Sequence, residues 1–184
     1  LKKILARHLV NQEFNGKRAK QIEISDEAIK TYYEENSDRY HAPEKVRIHR
    51  IFFRGPQGDS KARRAAKEKA SKALDKLKAS PEDRRLFIQL AREISEDEQT
   101  KRIAGDTNFK SREEMQKAYG KAVADAAFSL EKTNDISGII ETEDGFCIIR
   151  QSGKQPPIDL PLEKVKEQIR TTLYARARGE AYKS

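Results

Sequence analysis

The stretch from Ile136 to Gln151, ISGIIETEDGFCIIRQ, limits what this chain can fold into more than any other. Two apolar runs, Ile139-Ile140 and Phe146-Cys147-Ile148-Ile149, flank the turn signal Asp144-Gly145. Glycine supplies the positive φ of a tight hairpin, and aspartate tolerates the same region. The β-branched residues on both arms suit a pleated, buried surface. Neither arm alternates apolar with polar, so both faces of the hairpin are expected to be covered. A lone hairpin is marginal in water and needs further strands or a helix. The other strong strand signal is the run VRIHRIFF from Val46 to Phe53, and the residues between the two read as helix and loop. These distant pieces are therefore expected to meet in one antiparallel sheet.

Helical spacing accounts for most of the rest. Ile4, Leu5, His8, Leu9 and Val10 form an apolar stripe near the start. Ser25 caps a second helix with Asp26 and Glu27 in its first turn and Ala28, Ile29, Tyr32 and Tyr33 on its apolar face. A long helix opening at Asp59 or Ser60 sets Ala62, Ala65, Ala66, Ala70, Ala73, Leu74 and Leu77 on one side. Its other side is basic: Lys61, Arg63, Arg64, Lys67, Lys69, Lys72, Lys76 and Lys78. Ser80-Pro81-Glu82-Asp83 reads as the next helix start, with Ser80 as cap and Pro81 in the first helical position. That helix is expected to bury Leu86, Phe87, Leu90, Ala91 and Ile94. Ser95 to Ser111 is irregular and is expected to hold a short fourth strand. Helical segments around Glu113–Tyr119 and Val123–Phe128 precede the hairpin. Pro156, Pro157 and Pro161 mark a linker, and a last amphipathic helix carries Leu162, Val165, Ile169, Leu173 and Ala177. The terminal stripes are expected to pack on each other, or on a second copy in a homodimer.

Composition narrows the chemistry. The 184 residues carry a formal charge of +8, which raises nucleic acid or an anionic surface as a partner. Solvated faces of charge-rich helices explain the same number. The aromatic platforms and motifs of nucleic-acid binders are missing, so no nucleic acid is expected and that function stays a remote alternative. The single cysteine, Cys147, excludes an internal disulfide and a cysteine-based zinc site, and no metal or cofactor is expected. No run approaches the ~20 apolar residues of a membrane span. The chain opens at Leu1 with no methionine, as expected for either a removed leader or a shortened chain, so the absence of a signal or anchor from it is uninformative.

Five pieces in order resemble a known family: VRIHRIFF; FIQLAREISEDEQTKRIAGD; the methionine in REEMQKA; ADAAFSLEKTNDISGIIET; and DGFCIIR. Together they are similar to a parvulin-type (PpiC-type) peptidyl-prolyl isomerase domain. The flanks ISDEAIKTYYEENSDRYHAPEKVR and LPLEKVKEQIRTTLYARARGEAY are similar to the helices around that domain in extracytoplasmic foldases of the SurA and PrsA kind. The resemblance implies an α+β, FKBP-like fold with a four-stranded antiparallel sheet and a helical lobe from both ends. It divides the chain into an N-terminal segment (1–43), an isomerase domain (44–153), and a linker with the C-terminal helix (154–184). It also implies an extracytoplasmic location and, as partners, unfolded or proline-containing polypeptides.

Carried over residue by residue, the family's site departs from its usual composition. Thr107 stands where parvulins place a pocket leucine, and Met115 matches the pocket methionine. Val123 or Tyr119 takes the phenylalanine position, depending on which block sets the register, and Phe128 supports from behind. Asp97 occupies the cysteine-or-aspartate position near the substrate carbonyl. The first histidine of the family is displaced in the order His49-Arg50-Ile51, so strand alternation is expected to turn Arg50 into the cleft and His49 behind it. Cys147 holds the place of the second histidine, Asp144 replaces a hydroxyl residue, and Thr142 keeps its match. Two readings follow: a working isomerase, or a parvulin-fold peptide-binding chaperone that turns over slowly.

Overall fold

The structure, a computed structural model, describes residues 22–80 and 83–181. In chain order its elements are α1 (Asp26–Glu35), α2 (Ser37–Tyr40), β1 (His41–Ala42), β2 (Lys45–Arg54), α3 (Ser60–Ala79), α4 (Arg84–Ile94), α5 (Glu98–Lys101), β3 (Asp106–Ser111), α6 (Arg112–Tyr119), α7 (Lys121–Ser129), β4 (Ile140–Glu141), β5 (Gly145–Gln155), β6 (Ile158–Asp159) and α8 (Leu162–Ala181). They fall into two compact units, residues 43–157 and, among the described residues, 22–42 with 158–181.

The first unit is built on one antiparallel sheet in the order β3-β2-β5-β4. β2 and β5 pair along their whole common length, from Lys45 opposite Gln155 to Arg54 opposite Gly145. Both faces are covered, which is why the hairpin shows no alternation. Ile51, Phe53, Phe146 and Ile148 pack under α3 and α4 against Ala70, Leu74, Leu77, Phe87 and Leu90. On the reverse face Ile48, Phe52, Cys147 and Ile149 pack with Met115 of α6 and Val123, Ala124 and Ala127 of α7. Gly145 is forced by proximity: a Cβ there would lie 2.0 Å from the Phe53 carbonyl oxygen. The fourth strand in the irregular stretch is β3. The β2–β3 register shifts between Arg47 and His49, and the buried Thr107 hydroxyl repairs the gap. It accepts from the Ile48 N–H (3.3 Å) and donates to the Ile48 carbonyl (3.2 Å).

Three details differ from expectation. The cap of α4 is Asp83, whose carboxylate accepts from the Arg85 and Leu86 N–H groups at 2.9 and 3.2 Å. Aspartate and serine are comparable caps, and Ser80 is already engaged as the C-cap of α3, its N–H donating to the Leu77 carbonyl. Pro81 and Glu82 lie outside the described residues. Ile94, Ala65 and Ala28 are exposed rather than buried; Ile94, at the last position of α4, is 36% accessible. The residues read as linker contain β6, which pairs with β1 (His41 opposite Asp159, Ala42 opposite Ile158). A two-residue strand between prolines has too few positions to show a period.

The second unit is this two-stranded strap with α1 and α8. Ser25 caps α1 by accepting from the Ala28 N–H at 3.2 Å. Val165 and Ile169 of α8 close over Ile29 of α1, with Tyr32, Tyr33, Leu162 and Leu173 around them. The Tyr33 hydroxyl donates to the Leu160 carbonyl (2.8 Å), and His41 Nδ1 meets the Asp159 carboxylate at 2.9 Å. Ile4, Leu5, His8, Leu9 and Val10 lie outside the described residues. Ile169 is 1% exposed, so Ile169→Asp combines a lost core side chain with a buried charge. It should lower the stability of this unit by about 3 kcal/mol or more. Urea denaturation followed by helical circular dichroism checks this, and an unchanged midpoint would mean that α1 and α8 are held together elsewhere.

Candidate active site

Strand parity puts Ile48, Arg50 and Phe52 of β2 on the face covered by α6 and α7. Beyond His49 the outer edge of β2 is no longer paired with β3, and two loop segments take over. The Arg50 N–H donates to the Gly105 carbonyl (2.9 Å), the Phe52 N–H to Ser95 Oγ (3.1 Å), and the Glu96 N–H to the Phe52 carbonyl (2.8 Å). Gly105 has φ +77°, and a Cβ on it would stand 2.1 Å from the Arg50 carbonyl oxygen. The backbone of Arg50 is thus clamped by the loops on either side of α5.

Its side chain is clamped as well. Arg50 Nη2 pairs with Asp97 Oδ2, and the two side chains are 10% and 11% exposed. The guanidinium lies 4.8 Å over the Phe52 ring and 4.6 Å over the Tyr119 ring. Arg50 Nε is buried and has no hydrogen-bond partner. Asp97 caps α5 through the Gln99 N–H (3.1 Å) and accepts from the Thr100 hydroxyl (2.6 Å). Burial works against its charge, but the Thr100 hydroxyl and the Arg50 guanidinium outweigh this and hold Asp97 below the usual carboxylate range. Cys147, opposite Phe52 on β5, is fully buried. Burial pushes its thiol up to about 11, with Arg50 pulling partly the other way. The thiol is therefore neutral at physiological pH and a weak polar neighbour rather than a nucleophile.

Arg50, Phe52 and Tyr119 form one side of an open groove of about 830 Å³. The α6–α7 junction, where Gly120 adopts φ +90°, supplies Lys117 to Ala122; the β4–β5 turn supplies Glu141, Thr142, Glu143 and Asp144. Thr142 Oγ1 donates to the Gly145 carbonyl (3.0 Å), which stiffens that turn.

The structure therefore gathers Asp97, Cys147 and Tyr119 around Arg50 and places Thr142 and Asp144 in the lining of the same groove as Arg50 and Tyr119. It does not bring His49 there. His49 lies on the other face, its Nδ1–H donating to the Ala104 carbonyl (3.0 Å). Burial lowers its pKa; the Ala104 bond resists this, and Arg150 reinforces it. The register shifts ahead of His49 put their extra residues on β3 and, at Ser152, on β5, so β2 keeps its alternation and His49 is not turned round. Met115 and Val123 are 0% exposed and sit beneath the groove in the core, so Tyr119 is the aromatic at the surface. Thr107 is occupied in the ladder, and Phe128 stacks under Arg112 at 4.7 Å beside a separate hollow with Pro43 and Glu44. Phe52 and Thr100 join the site without having been expected there. Phe52 lies two positions from Arg50, so the same alternation that turned Arg50 inward also points to it.

With this geometry in hand, residues 24–167 match the family model of the PPIC-type PPIase domain. The chain belongs to that family. Among its relatives is the foldase protein PrsA of Clostridium botulinum, 24% identical over 186 aligned positions, covering 99% of this chain and 49% of that protein. A solved structure from the SurA-like chaperones PEB4 and Cj1289 of Campylobacter jejuni has a TM-score of 0.51 at 22% identity, covering 98% of this chain and 68% of the other. The foldase PrsA of Streptococcus pneumoniae has a TM-score of 0.50 at 24% identity, covering 92% and 55%. These likenesses carry the PPIC-type fold. The chain spans about half the length of the curated relatives it matches.

Two outcomes test the site. Asp97→Asn leaves the Arg50 cation buried without its counter-charge and should destabilise the protein by about 3 kcal/mol. Because the folded pKa of Asp97 lies below its unfolded value of about 3.9, its contribution is present above that pH and lost as pH falls through the folded value. Acid titration of stability should therefore be shallower in Asp97→Asn, and parallel curves would refute the pairing. Cys147 should react with a thiol reagent at pH 8 at least about a hundredfold more slowly in the native protein than in urea; equal rates would mean that the strand is open.

Proposed function

We propose that this chain is the peptidyl-prolyl cis-trans isomerase portion of an extracytoplasmic foldase, acting on proline-containing segments of unfolded exported polypeptides. One observation above all supports this. In a PPIC-type fold, Arg50 and Tyr119 line an open groove, with Asp97 paired to Arg50 and the buried Cys147 beside it. Residues 44–153 are assigned as the isomerase domain, and 1–43 with 154–184 as a chaperone lobe. The location outside the cytoplasm rests on the foldase relatives and on the periplasmic member of the SurA-like pair. No helix among the described residues is long and apolar enough to cross a membrane.

The chemistry needs neither nucleophile nor metal. Twisting the peptide bond breaks amide resonance, with a barrier of ~18–20 kcal/mol. As resonance is lost, the lone pair localises on the prolyl nitrogen. A fixed donor near that nitrogen stabilises the twisted amide more than the planar one. Arg50, held by Asp97, supplies such donors, and Tyr119 with Phe52 supplies the apolar contact for the proline ring. A guanidinium only donates, whereas a neutral imidazole both donates and accepts. The guanidinium also covers part of the two rings that proline would use. The proposed balance is thus peptide binding with slow turnover, at least about tenfold below a parvulin with both histidines, or ~1.4 kcal/mol of transition-state stabilisation.

A protease-coupled isomerisation assay on proline peptides decides this. Arg50→His with Cys147→His should raise kcat/KM by about tenfold while peptide affinity changes less. Isomerisation by the unmodified protein at the full rate of a two-histidine parvulin would overturn the role given to Arg50 and Cys147.

A further inference from the structure

On the other face of β2, away from the groove, lies a second concavity of about 390 Å³. Phe53, Ala73 of α3 and Ile94 at the end of α4 give it an apolar lining; Lys69, Lys72 and Lys76 line one wall, and Glu96 stands at its edge. Glu96 is already engaged, accepting from Lys69 Nζ (2.6 Å) and from the Arg54 N–H (2.7 Å). Lys72 and Lys76, one helical turn apart and exposed, make no ion pair among the described residues. Ile94 is one of the few large apolar side chains left open to solvent among the described residues. An apolar hollow beside two uncompensated ammonium groups is matched by a ligand that joins an apolar group to a negative charge.

We propose that this hollow is a docking site for an acidic polypeptide segment. It seats one apolar side chain between Phe53 and Ile94 and sets a carboxylate against Lys72 and Lys76. In an extended segment, residues two apart share a face, so an apolar residue and an acidic one in that spacing reach the hollow together. Concavity favours a peptide over a bilayer: lipid binding draws on apolar side chains that protrude into the acyl boundary, whereas here the apolar lining is recessed. The +8 charge of the chain adds a general attraction for acidic segments. The site is separate from the isomerase groove and shares none of its lining residues.

The test is fluorescence anisotropy of the whole chain with a labelled, proline-free peptide that alternates phenylalanine with glutamate and aspartate at that spacing. Binding should weaken as salt rises from about 50 to about 300 mM. It should fall at least about tenfold in Lys72→Glu/Lys76→Glu and when the phenylalanines of the peptide become alanine. Proline-peptide isomerisation by the lysine variant should be unchanged, which separates this site from the groove; a matching loss there would count against a distinct site. No binding, or equal binding by the charge-reversed variant, would overturn the proposal. So would phosphatidylglycerol vesicles that bind with the same lysine dependence and displace the peptide, since the face would then belong to a lipid surface.

Discussion

The β2–β5 ladder, apolar on both faces, is what the rest of this structure depends on. Ile51 and Phe53 hold α3 and α4 on one side, and Ile48 and Phe52 hold α6 and α7 on the other. Because side chains alternate along a strand, one segment anchors two layers and also delivers a charged residue to the α6–α7 side. Arg50 is that residue. Its charge is tolerable at such depth only because Asp97 neutralises it and two aromatic rings cover it. The position of α5 follows in turn: the carboxylate that caps this short helix is the one that holds the arginine, so fold and site share an atom group.

On the reading proposed above, the substituted site is a frame for bond rotation that would keep one capability and lose part of another. Binding a proline ring needs apolar contact, which Tyr119 and Phe52, both in the lining of the groove, would provide. Accelerating rotation needs polar groups whose favourable contacts grow as the amide twists. A guanidinium pinned to a carboxylate, beside a thiol held neutral by burial, would meet the second need less well.

Much of this was legible in the sequence, for identifiable reasons. The β2–β5 pairing was written in two apolar runs with no competing strand signal, and the inward turn of Arg50 in the parity of His49-Arg50-Ile51. Depth was not legible. Apolarity marks Met115 and Val123 as inside, but only the packing of α6 and α7 puts them below the groove and leaves Tyr119 at its surface. Thr107 was matched to a pocket position, yet a register shift that no local pattern announces gave its hydroxyl to the backbone of Ile48. The strap of β1 and β6 was not legible because its two strands are two residues each and far apart in the sequence.

That strap has a consequence for the order of events as the chain is made. Ile29 and its covering residues on α8 are separated in sequence by the entire sheet unit, so joining them directly means closing a very long, floppy loop. Yet β2 and β5 pair as far as Lys45 with Gln155, only a few residues short of His41 and Asp159. Once the sheet has formed, most of that closure has been made in advance. The helical unit can then zip from the strap outward, and until that moment the apolar face of α1 stays open to whatever other chain is near.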